Sequence, residues 1–279
     1  NFINDLNIYF ILIFLIGFFS DVQLILSPVK RFILQILILI IFVFTQDIQI
    51  TNTRFLLLDQ ILENKFFSYF FVAFCMMILI NGTNFIDGLN TLVLGYYLII
   101  SIIIIKSEIL LGINVDNLDF TFWTIILSIL YFFNLFKKLF LGDGGAYLLG
   151  FLYSYLLISS YVSNQNFSPF FIVLLLWYPC FENLFSIIRK YRLKKSPINP
   201  DAKHFHQLLF FYVQKNFSLK NTLPNSVSAN IINSYNFIIF LIGVQDIKST
   251  QLQICLIIIS VFLYIYFYLK LFIYRYKKY

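Results

Sequence analysis

The sequence predicts an all-α polytopic membrane protein, and three observations support this fold class. Of the 279 residues, 60% are hydrophobic and only 12% are charged, and the mean hydropathy is +0.85. A soluble core of this size does not require so apolar a composition. The apolar runs are nearly continuous rather than alternating, which favours helices over strands. Many runs are about 20 residues long, the length that a helix needs to cross a bilayer.

Polar residues divide the chain into nine candidate spans. We place these spans near residues 7–20, 32–46, 66–81, 89–105, 120–136, 146–162, 169–188, 228–244 and 251–273. We see no soluble domain, linker or internal repeat, so residues 1–279 are predicted to form a single integral-membrane domain. Because the first residue is Asn and an apolar run follows almost at once, we expect part of the N-terminus to be missing.

The basic residues indicate which side of the membrane each loop faces. Alternation through the predicted spans places four polar loops, near 20–31, 81–91, 137–146 and 189–227, on the same side as the C-terminal tail. Of the 20 Lys and Arg residues, all fall on that side except Arg54, Lys65, Lys106 and Lys248. The positive-inside rule therefore predicts that this side is cytoplasmic.

Acidic residues and histidines gather on the same predicted side. The acidic residues there lie at or near the ends of spans, and they are Asp21, Asp87, Asp143, Glu182 and Asp201. His204 and His206, the 2 histidines of the chain, are there too. Carboxylate oxygens are the ligands that Mg²⁺ prefers, and Lys and Arg bind phosphate groups. The sequence therefore indicates a site for a divalent metal and several phosphates at one membrane face.

Simpler explanations exist for each of these features. A basic cytoplasmic face is common to polytopic membrane proteins, and an Asp at a helix end is often only a cap. Asn81, Asn84 and Asp87 could merely satisfy polar groups of neighbouring helices. Their spacing nevertheless places the three side chains along one arc of a helix, so that all can face one cavity. Together with the other acidic positions, this spacing favours a functional site.

Three segments resemble the motifs of a known family. They are "NGTNFIDGLNTL" (81–92), "FLGDGGAYLLGF" (140–151) and "SPINPDAKHFHQLL" (196–209). In order and spacing they are similar to the Asn/Asp-rich, Gly-Asp-x-Gly and histidine motifs of the polyprenyl-phosphate N-acetylhexosamine-1-phosphate transferases, glycosyltransferase family 4. This family includes the WecA-like and MraY-like enzymes, and the histidine segment resembles the WecA-like branch more. The resemblance extends from about Gly17 to about Leu209.

What the resemblance implies is a Mg²⁺-dependent transfer, with Mn²⁺ as the alternative ion. The phosphate of undecaprenyl phosphate, or of another polyprenyl phosphate, attacks the β-phosphate of a UDP-N-acetylhexosamine, and UMP leaves. We expect GlcNAc-1-phosphate to be the transferred group, at the start of the synthesis of a cell-surface polysaccharide such as lipopolysaccharide. The resemblance places the enzyme in the bacterial inner (plasma) membrane with a cytoplasmic active site. We expect no nucleic-acid partner, and a homodimer stays open.

The resemblance also implies roles for the acidic motif residues. Asp143 matches the Gly-Asp-x-Gly motif and is our predicted metal ligand. Asp87 matches the nucleotide side of the family's site together with Asn84 and Asn81, which implies shared contacts with the metal or the uridine. We therefore predict Asp143 and Asp87 as metal-binding and catalytic residues, and Asn81 and Asn84 as substrate-binding residues.

The same resemblance, together with positive charge, predicts histidine, lysine and arginine side chains that bind phosphates. His204 and His206 match the histidine motif, where a hydrogen-bond donor to the diphosphate or the lipid phosphate is needed, and imidazole can supply it. Lys30, Arg31 and Arg189 are placed to bind the phosphates of the substrates or of lipid headgroups. Arg189 matches a recurrent arginine of the family.

Departures from the family motifs keep two alternatives open. Where the family has an Asp-Asp pair, this chain has Ser20-Asp21, so a single carboxylate, Asp21, would deprotonate or position the lipid phosphate. Gln207 replaces the third histidine. One alternative is therefore a catalytically impaired relative that still binds substrates. The other is a polytopic transporter, although its functional charges should lie near the middle of the membrane, where these spans have almost none.

Overall fold

The computed structural model describes residues 2–111, 120–164, 167–192, 194, 203–217 and 223–276. All regular secondary structure in these ranges is helical. In chain order the α-helices are α1 (Phe2–Asp21), α2 (Pro28–Thr45), α3 (Leu56–Leu62), α4 (Lys65–Ile86), α5 (Leu92–Leu111), α6 (Phe120–Leu135), α7 (Gly142–Ser163), α8 (Pro169–Arg192), α9 (Phe205–Asn216), α10 (Leu223–Gly243) and α11 (Thr250–Tyr276). The predicted all-α class is confirmed.

Several helices are long and apolar enough to cross a membrane. Among the described residues there are 6 of these, namely Pro28–Thr45, Lys65–Ile86, Gly142–Ser163, Pro169–Arg192, Pro224–Asp246 and Thr250–Tyr276. Three apolar helices are shorter, at 10–17 residues, and they are Leu6–Asp21, Leu92–Ser107 and Phe120–Leu135. The chain is therefore a multi-pass membrane protein, while the predicted count of nine spans stays a prediction.

Helix α4 is longer than the sequence pattern predicts. The predicted loop near 81–91 begins as helix, because α4 continues to Ile86. The polar side chains of this stretch find partners that leave the helix intact. Thr83 Oγ1 donates to the Leu79 carbonyl at 2.7 Å, and Asn81 Nδ2 donates to the Met77 carbonyl at 3.0 Å. Polar residues therefore do not end a helix that is surrounded by other helices.

The predicted cytoplasmic loop 189–227 is also partly helical. Helix α8 continues to Arg192, and the segment after the histidines forms the helix α9. The motif residues Ser196–Asp201 lie outside the described residues. On the opposite side of the bundle, the seven-residue helix α3 was not predicted, and it precedes α4.

Close helix packing brings the ends of distant segments together. Helix α7 packs against α1 and α4, and α4 packs against α2 and α8. At the crossing of α1 and α7, a Cβ on Gly17 would lie 2.5 Å from the backbone of Asp143, so only glycine allows this approach. Small residues serve the same purpose at many helix contacts in membranes. As a result, the C-terminal ends of α1 and α4 meet the N-terminal end of α7.

Candidate active site

The carboxylate of Asp143 is held by side chains from three neighbouring helices. Its Oδ1 accepts a hydrogen bond from Asn84 Nδ2 of α4 at 2.7 Å. Its Oδ2 accepts from Ser20 Oγ of α1 at 2.6 Å and from Arg31 Nη1 of α2 at 2.6 Å. Arg31 also donates to Ser20 Oγ. Asp143 lies in the first turn of α7, where the partial positive charge of the helix favours a carboxylate.

Asp21 binds the same helix end through the backbone. Its Oδ1 accepts a hydrogen bond from the N–H of Asp143 at 2.9 Å, and its Oδ2 accepts from the N–H of Gly144 at 3.1 Å. The first N–H groups of a helix have no partner within the helix, so an acceptor from elsewhere stabilises the helix end. Both oxygens of Asp21 therefore act as a cap on α7, supplied by α1.

Asp87 follows the last residue of α4 and completes the group of acids. Its carboxylate has no hydrogen-bond partner within the described part of the chain. Burial, together with the negative charges of Asp143 and Asp21, raises the pKa of Asp87 to about 7. The three carboxylates are thus close enough to interact electrostatically, and Arg31 pairs with only one of them.

A divalent cation fits this group of acids chemically. Mg²⁺ binds hard oxygens and usually takes one or two protein carboxylates, with water and substrate phosphates as its other ligands. Asp87 offers an unpartnered carboxylate beside two other negative charges, which a divalent ion would balance. In the described ranges, no three Asp, Glu, His or Cys side chains form a ready-made metal cluster. Asn84, three residues before Asp87, binds Asp143, and the charges of Asp87 and Asp143 interact, so the two acids lie near each other. Their binding of Mg²⁺ stays a prediction.

Asn81 and Lys30, which are also predicted to bind substrate, are neighbours of residues that contact these acids. Asn81 Nδ2 donates to Gln35 Oε1 of α2 at 3.2 Å, so this amide is directed towards α2 and not towards Asp143. Residues three apart differ by about 60° around a helix, which is enough to separate Asn81 from Asn84 in this way. Lys30 is exposed, next to Arg31.

His204 lies directly before α9 and is bound to a buried carboxylate. Its Nδ1 is 2.9 Å from Glu182 Oε1 of α8, and Glu182 Oε2 accepts from Tyr264 OH of α11 at 2.7 Å. The His204 ring lies 5.5 Å from the ring of Phe85, in the last turn of α4. Gln207, which stands where the family has a third histidine, accepts from the His204 N–H at 3.2 Å. The histidine segment is thus anchored beside the Asn/Asp motif.

His206 is buried against Gly88, the residue that follows Asp87. A Cβ on Gly88 would collide with His206 Nε2, so the glycine makes room for the ring. Neither ring nitrogen of His206 finds a hydrogen-bond partner among the residues that the structure describes. Burial lowers the pKa of His206 to about 4, with His204 adding to the effect and Glu182 opposing it. His206 is therefore neutral at pH 7.

Two basic residues near the end of α8 lie under the histidine segment. Arg189 Nη1 donates to the Lys203 carbonyl at 2.8 Å and to Tyr268 OH at 3.0 Å. These contacts hold the chain just before His204, and the predicted substrate contact of Arg189 stays a prediction. Lys190 is only 5% exposed, and its Nζ lies 5.9 Å from the centre of the Phe85 ring. A buried cation thus lies close to the histidines.

Sequence reasoning missed the roles of three residues at this site. Glu182 was recognised as an acid near the cytoplasmic face, but not as the partner of His204. Its position inside an apolar span was the available signal, because a carboxylate there needs a partner. Ser20 was read as a lost carboxylate, whereas its hydroxyl binds Asp143. Lys190 carried no signal that distinguished it from the other basic residues of its segment.

Two bacterial proteins resemble this chain over about half of its length. An undecaprenyl-phosphate alpha-N-acetylglucosaminyl 1-phosphate transferase of Thermotoga maritima is 31% identical over 143 residues, which cover 51% of this chain and 42% of that protein. A probable undecaprenyl-phosphate N-acetylglucosaminyl 1-phosphate transferase of Bacillus subtilis is 35% identical over 136 residues, covering 47% of this chain and 37% of that protein. The matched region thus spans about 40% of the length of these relatives.

A family profile matches a longer part of the chain. Residues 6–161 match the family described as glycosyl transferase family 4. The match covers α1 to α7 and includes Asp21, Asn84, Asp87 and Asp143, while the histidine segment lies beyond it. Because the match covers more than half of the chain and contains the whole group of acids, the protein belongs to glycosyl transferase family 4.

Proposed function

We propose that this protein transfers an N-acetylhexosamine-1-phosphate, with GlcNAc-1-phosphate as the favoured group, from a UDP-sugar to undecaprenyl phosphate or another polyprenyl phosphate. The family and the names of the two relatives support this reaction class. One observation carries the proposal for this chain. Asp143, Asp87 and Asp21 gather at one end of a helical membrane bundle, with Arg31 paired to Asp143.

Both substrates are anionic, so the site must reduce the repulsion between them. Asp87 and Asp143 would hold Mg²⁺, which when bound neutralises phosphoryl oxygens of both substrates. Arg31 is a basic side chain paired with one of the acids, and the buried Lys190 lies beside Phe85, whose ring also neighbours His204. Fixed donors and cations that need no rearrangement are the most effective way to stabilise charge during phosphoryl transfer.

The lipid phosphate serves as the nucleophile without a strong base. A phosphate monoester has a second pKa near 6, so it is largely dianionic at pH 7. Both oxygens of Asp21 accept hydrogen bonds from the backbone of α7, which favours a capping role for Asp21 over proton abstraction. The attack on the β-phosphorus of the UDP-sugar forms the lipid diphosphate linkage, and UMP leaves with the electron pair of the broken bond.

The two histidines differ in their access to phosphoryl oxygens. Neutral His206 carries one N–H donor, but both of its ring nitrogens are enclosed by protein, so they would have to become uncovered before His206 could bind a substrate. His204 Nδ1 is taken by Glu182, so Nε2 is the atom of His204 that remains for a substrate. We place this site at the cytoplasmic face of a bacterial plasma membrane, because the basic residues of the sequence concentrate on that side.

The two alternatives make different demands on the structure. A transporter would place its functional charges near the middle of the bundle, whereas Asp21, Asp87 and Asp143 lie at helix ends. A catalytically impaired relative is suggested by Ser20 in place of an aspartate. Its hydroxyl donates to Asp143, so the substitution preserves a contact to the predicted metal ligand.

A transfer assay tests the proposed function. Purified protein in nanodiscs is incubated with undecaprenyl phosphate, Mg²⁺ and UDP-GlcNAc labelled in the sugar, and label in the organic phase is measured. UDP-GalNAc and UDP-glucose serve as competing donors, to define the sugar. We expect lipid-linked label with an N-acetylated donor. Binding of UDP-GlcNAc without any transfer would instead support the impaired relative.

A further inference from the structure

Glu182 is a fully buried carboxylate inside the apolar helix α8. An ionisable group within a membrane bundle is costly unless it is paired or serves a function. Both oxygens of Glu182 are satisfied, because Oε1 is 2.9 Å from His204 Nδ1 and Oε2 accepts from Tyr264 OH at 2.7 Å. The Phe205 N–H also points to Oε1, at 3.4 Å. Glu182 thus connects α8 to α11 and to the start of α9.

The contact with Glu182 decides which nitrogen of His204 carries the proton. A carboxylate accepts hydrogen bonds, so Nδ1 must be the protonated nitrogen that donates to Oε1. In the neutral ring, Nε2 then has a free lone pair, and in the charged ring Nε2 is a second donor. Nε2 itself has no hydrogen-bond partner within the described segments, and it is not among their fully enclosed atoms.

The surroundings fix the plane of the His204 ring as well. The ring of His206 lies nearly parallel to it, at 5.7 Å and an angle of 15°, and the ring of Phe85 lies on another side at 5.5 Å. Phe85 is two residues before Asp87, so His204 is held beside the acids of the site. A carboxylate that sets both the tautomer and the orientation of an imidazole has a known effect in other enzymes, where its loss lowers the reaction rate strongly.

We propose that Glu182 is a positioning residue that keeps Nδ1 of His204 protonated and turned towards α8, so that Nε2 faces the substrates. There Nε2 accepts a proton when the ring is neutral, and donates to a phosphoryl oxygen when the ring is charged. This inference rests on the proposed function for its catalytic consequence, but not for the pairing itself. Tyr264 supports the arrangement by binding the second oxygen of Glu182, which keeps the carboxylate from rotating away. Glu182 does not touch the substrate in this account.

Nitrogen NMR tests the pairing directly, because the chain has only 2 histidines. Protein with ¹⁵N-labelled histidine rings in nanodiscs gives two ring systems, which a His206→Gln variant assigns. Long-range proton–nitrogen correlations at pH 8 show which nitrogen of His204 is protonated. We expect Nδ1 of His204 to be protonated, whether the ring is neutral or charged, whereas an unconstrained neutral imidazole prefers Nε2–H. A His204 ring that is protonated at Nε2 and not at Nδ1 in the wild-type protein would overturn the proposal.

Two substitutions of Glu182 by residues of similar size, Met and Gln, then separate the positioning of His204 from the packing of α8. Glu182→Met removes the acceptor, so His204 should lose the Nδ1–H preference, and kcat should fall about tenfold or more. Glu182→Gln keeps an uncharged acceptor and should retain the tautomer, with a smaller loss of kcat. Tyr264→Phe leaves the His204 contact in place and should also retain the tautomer. If Glu182→Met kept the tautomer, or lost it with kcat unchanged, the proposal would be wrong.

Different results would exclude the proposed function and the positioning role of Glu182. If the wild-type protein transfers no sugar phosphate, the proposed function is wrong, yet the NMR spectrum still decides whether Glu182 sets the His204 tautomer. If transfer occurs and the tautomer is Nε2–H, the function stands and the positioning role is wrong.

Discussion

Arg31 Nη1 lies 2.6 Å from Asp143 Oδ2, so a cation of α2 is paired with the carboxylate at the start of α7. The two side chains are 20% and 28% exposed, and a pair so open to water adds little stability. The pairing instead sets the orientation of Asp143, with Ser20 and Asn84 as further donors. A fixed carboxylate beside a cation is what the proposed reaction needs for handling phosphates.

Removing the charge of Arg31 should affect transfer more than folding. We expect Arg31→Gln to lower the transfer rate at least about tenfold, because a charge-assisted hydrogen bond is lost. The free energy of unfolding should change by less than about 1 kcal/mol, since the pair is partly exposed. Rates and unfolding midpoints are measured side by side, with the exposed Lys138→Gln as control. An Arg31→Gln protein with the wild-type rate would remove Arg31 from the site.

The capping role of Asp21 predicts a loss of stability. Asp21→Ala leaves the N–H groups of Asp143 and Gly144 without an acceptor, and losing such a cap costs about 0.5–2 kcal/mol. Asp21→Asn keeps one acceptor oxygen, so it should cost less. Chemical unfolding of both variants in the same detergent measures the difference. If Asp21 were instead a catalytic base, Asp21→Asn would abolish transfer while both variants unfolded like the wild-type protein.

The contact between Gly88 and His206 predicts that a single methyl group displaces the histidine segment. In Gly88→Ala, the new Cβ would meet the imidazole ring, which is fixed among buried groups. We expect a loss of about 1–3 kcal/mol of stability, typical of overpacking, together with reduced transfer. Gly243→Ala is the matched control, because its Cβ would meet the ends of the Leu174, Gln253 and Leu256 side chains and no ring. Equal effects of the two substitutions would contradict this account.

Burial of His206 predicts a loss of stability at acid pH. The pKa of His206 is lowered to about 4 from 6.5, so between these values the unfolded chain binds a proton that the folded chain does not. Stability therefore falls as the pH drops through this window. His206→Gln cannot be protonated and should reduce this acid-side loss by about 1–3 kcal/mol. His204 and Glu182 are unchanged in the variant, so the difference between the two proteins isolates His206.

Unfolding midpoints at pH 7 and pH 5 provide the measurement for His206. The wild-type protein should lose more stability between the two pH values than His206→Gln does. The same loss in both proteins would mean that His206 is not buried as a neutral ring.

Ser20→Asp should make the protein more dependent on a divalent ion. The hydroxyl of Ser20 donates to Asp143, and a carboxylate in its place would repel Asp143 instead. We expect a lower unfolding midpoint in EDTA than that of the wild-type protein, and a larger rise on adding Mg²⁺. Ca²⁺ and high NaCl are the controls for nonspecific charge screening. A variant that does not respond to Mg²⁺ would place the metal away from Asp143.

The sequence predicted which chain segments meet, but not how their side chains pair. The lengths of the apolar runs, and the alternation of successive loops between the two sides of the membrane, were enough to place Asp21, Asp87 and Asp143 at one end of the bundle. The pairing of Glu182 with His204, and of Arg31 with Asp143, depends on how helices rotate against each other. Hydrophobic patterns leave that rotation undefined in a chain that is apolar on nearly all helix faces.

Local chemistry also misled the sequence reading in places. The predicted span ended near Asn81 and left Thr83 and Asn84 in the loop that follows, although the spacing of the two asparagines also suited one face of a helix. Between helices their amides and hydroxyls bind neighbouring groups, so α4 continues to Ile86. The short helix α3 was missed because seven residues carry too little periodicity to identify a helix.

The path of the β-phosphorus atom distinguishes sugar-phosphate transfer from other reactions. UDP-GlcNAc labelled with ³²P at the β-phosphate is incubated with undecaprenyl phosphate, Mg²⁺ and either the wild-type protein or Asp143→Asn. We expect the wild-type protein to move the label into the lipid phase as unlabelled UMP is released, and we expect Asp143→Asn, although folded, not to do so. Label that stays in the aqueous phase while GlcNAc enters the lipid would rule out sugar-phosphate transfer, and equal transfer by Asp143→Asn would rule out the role of Asp143.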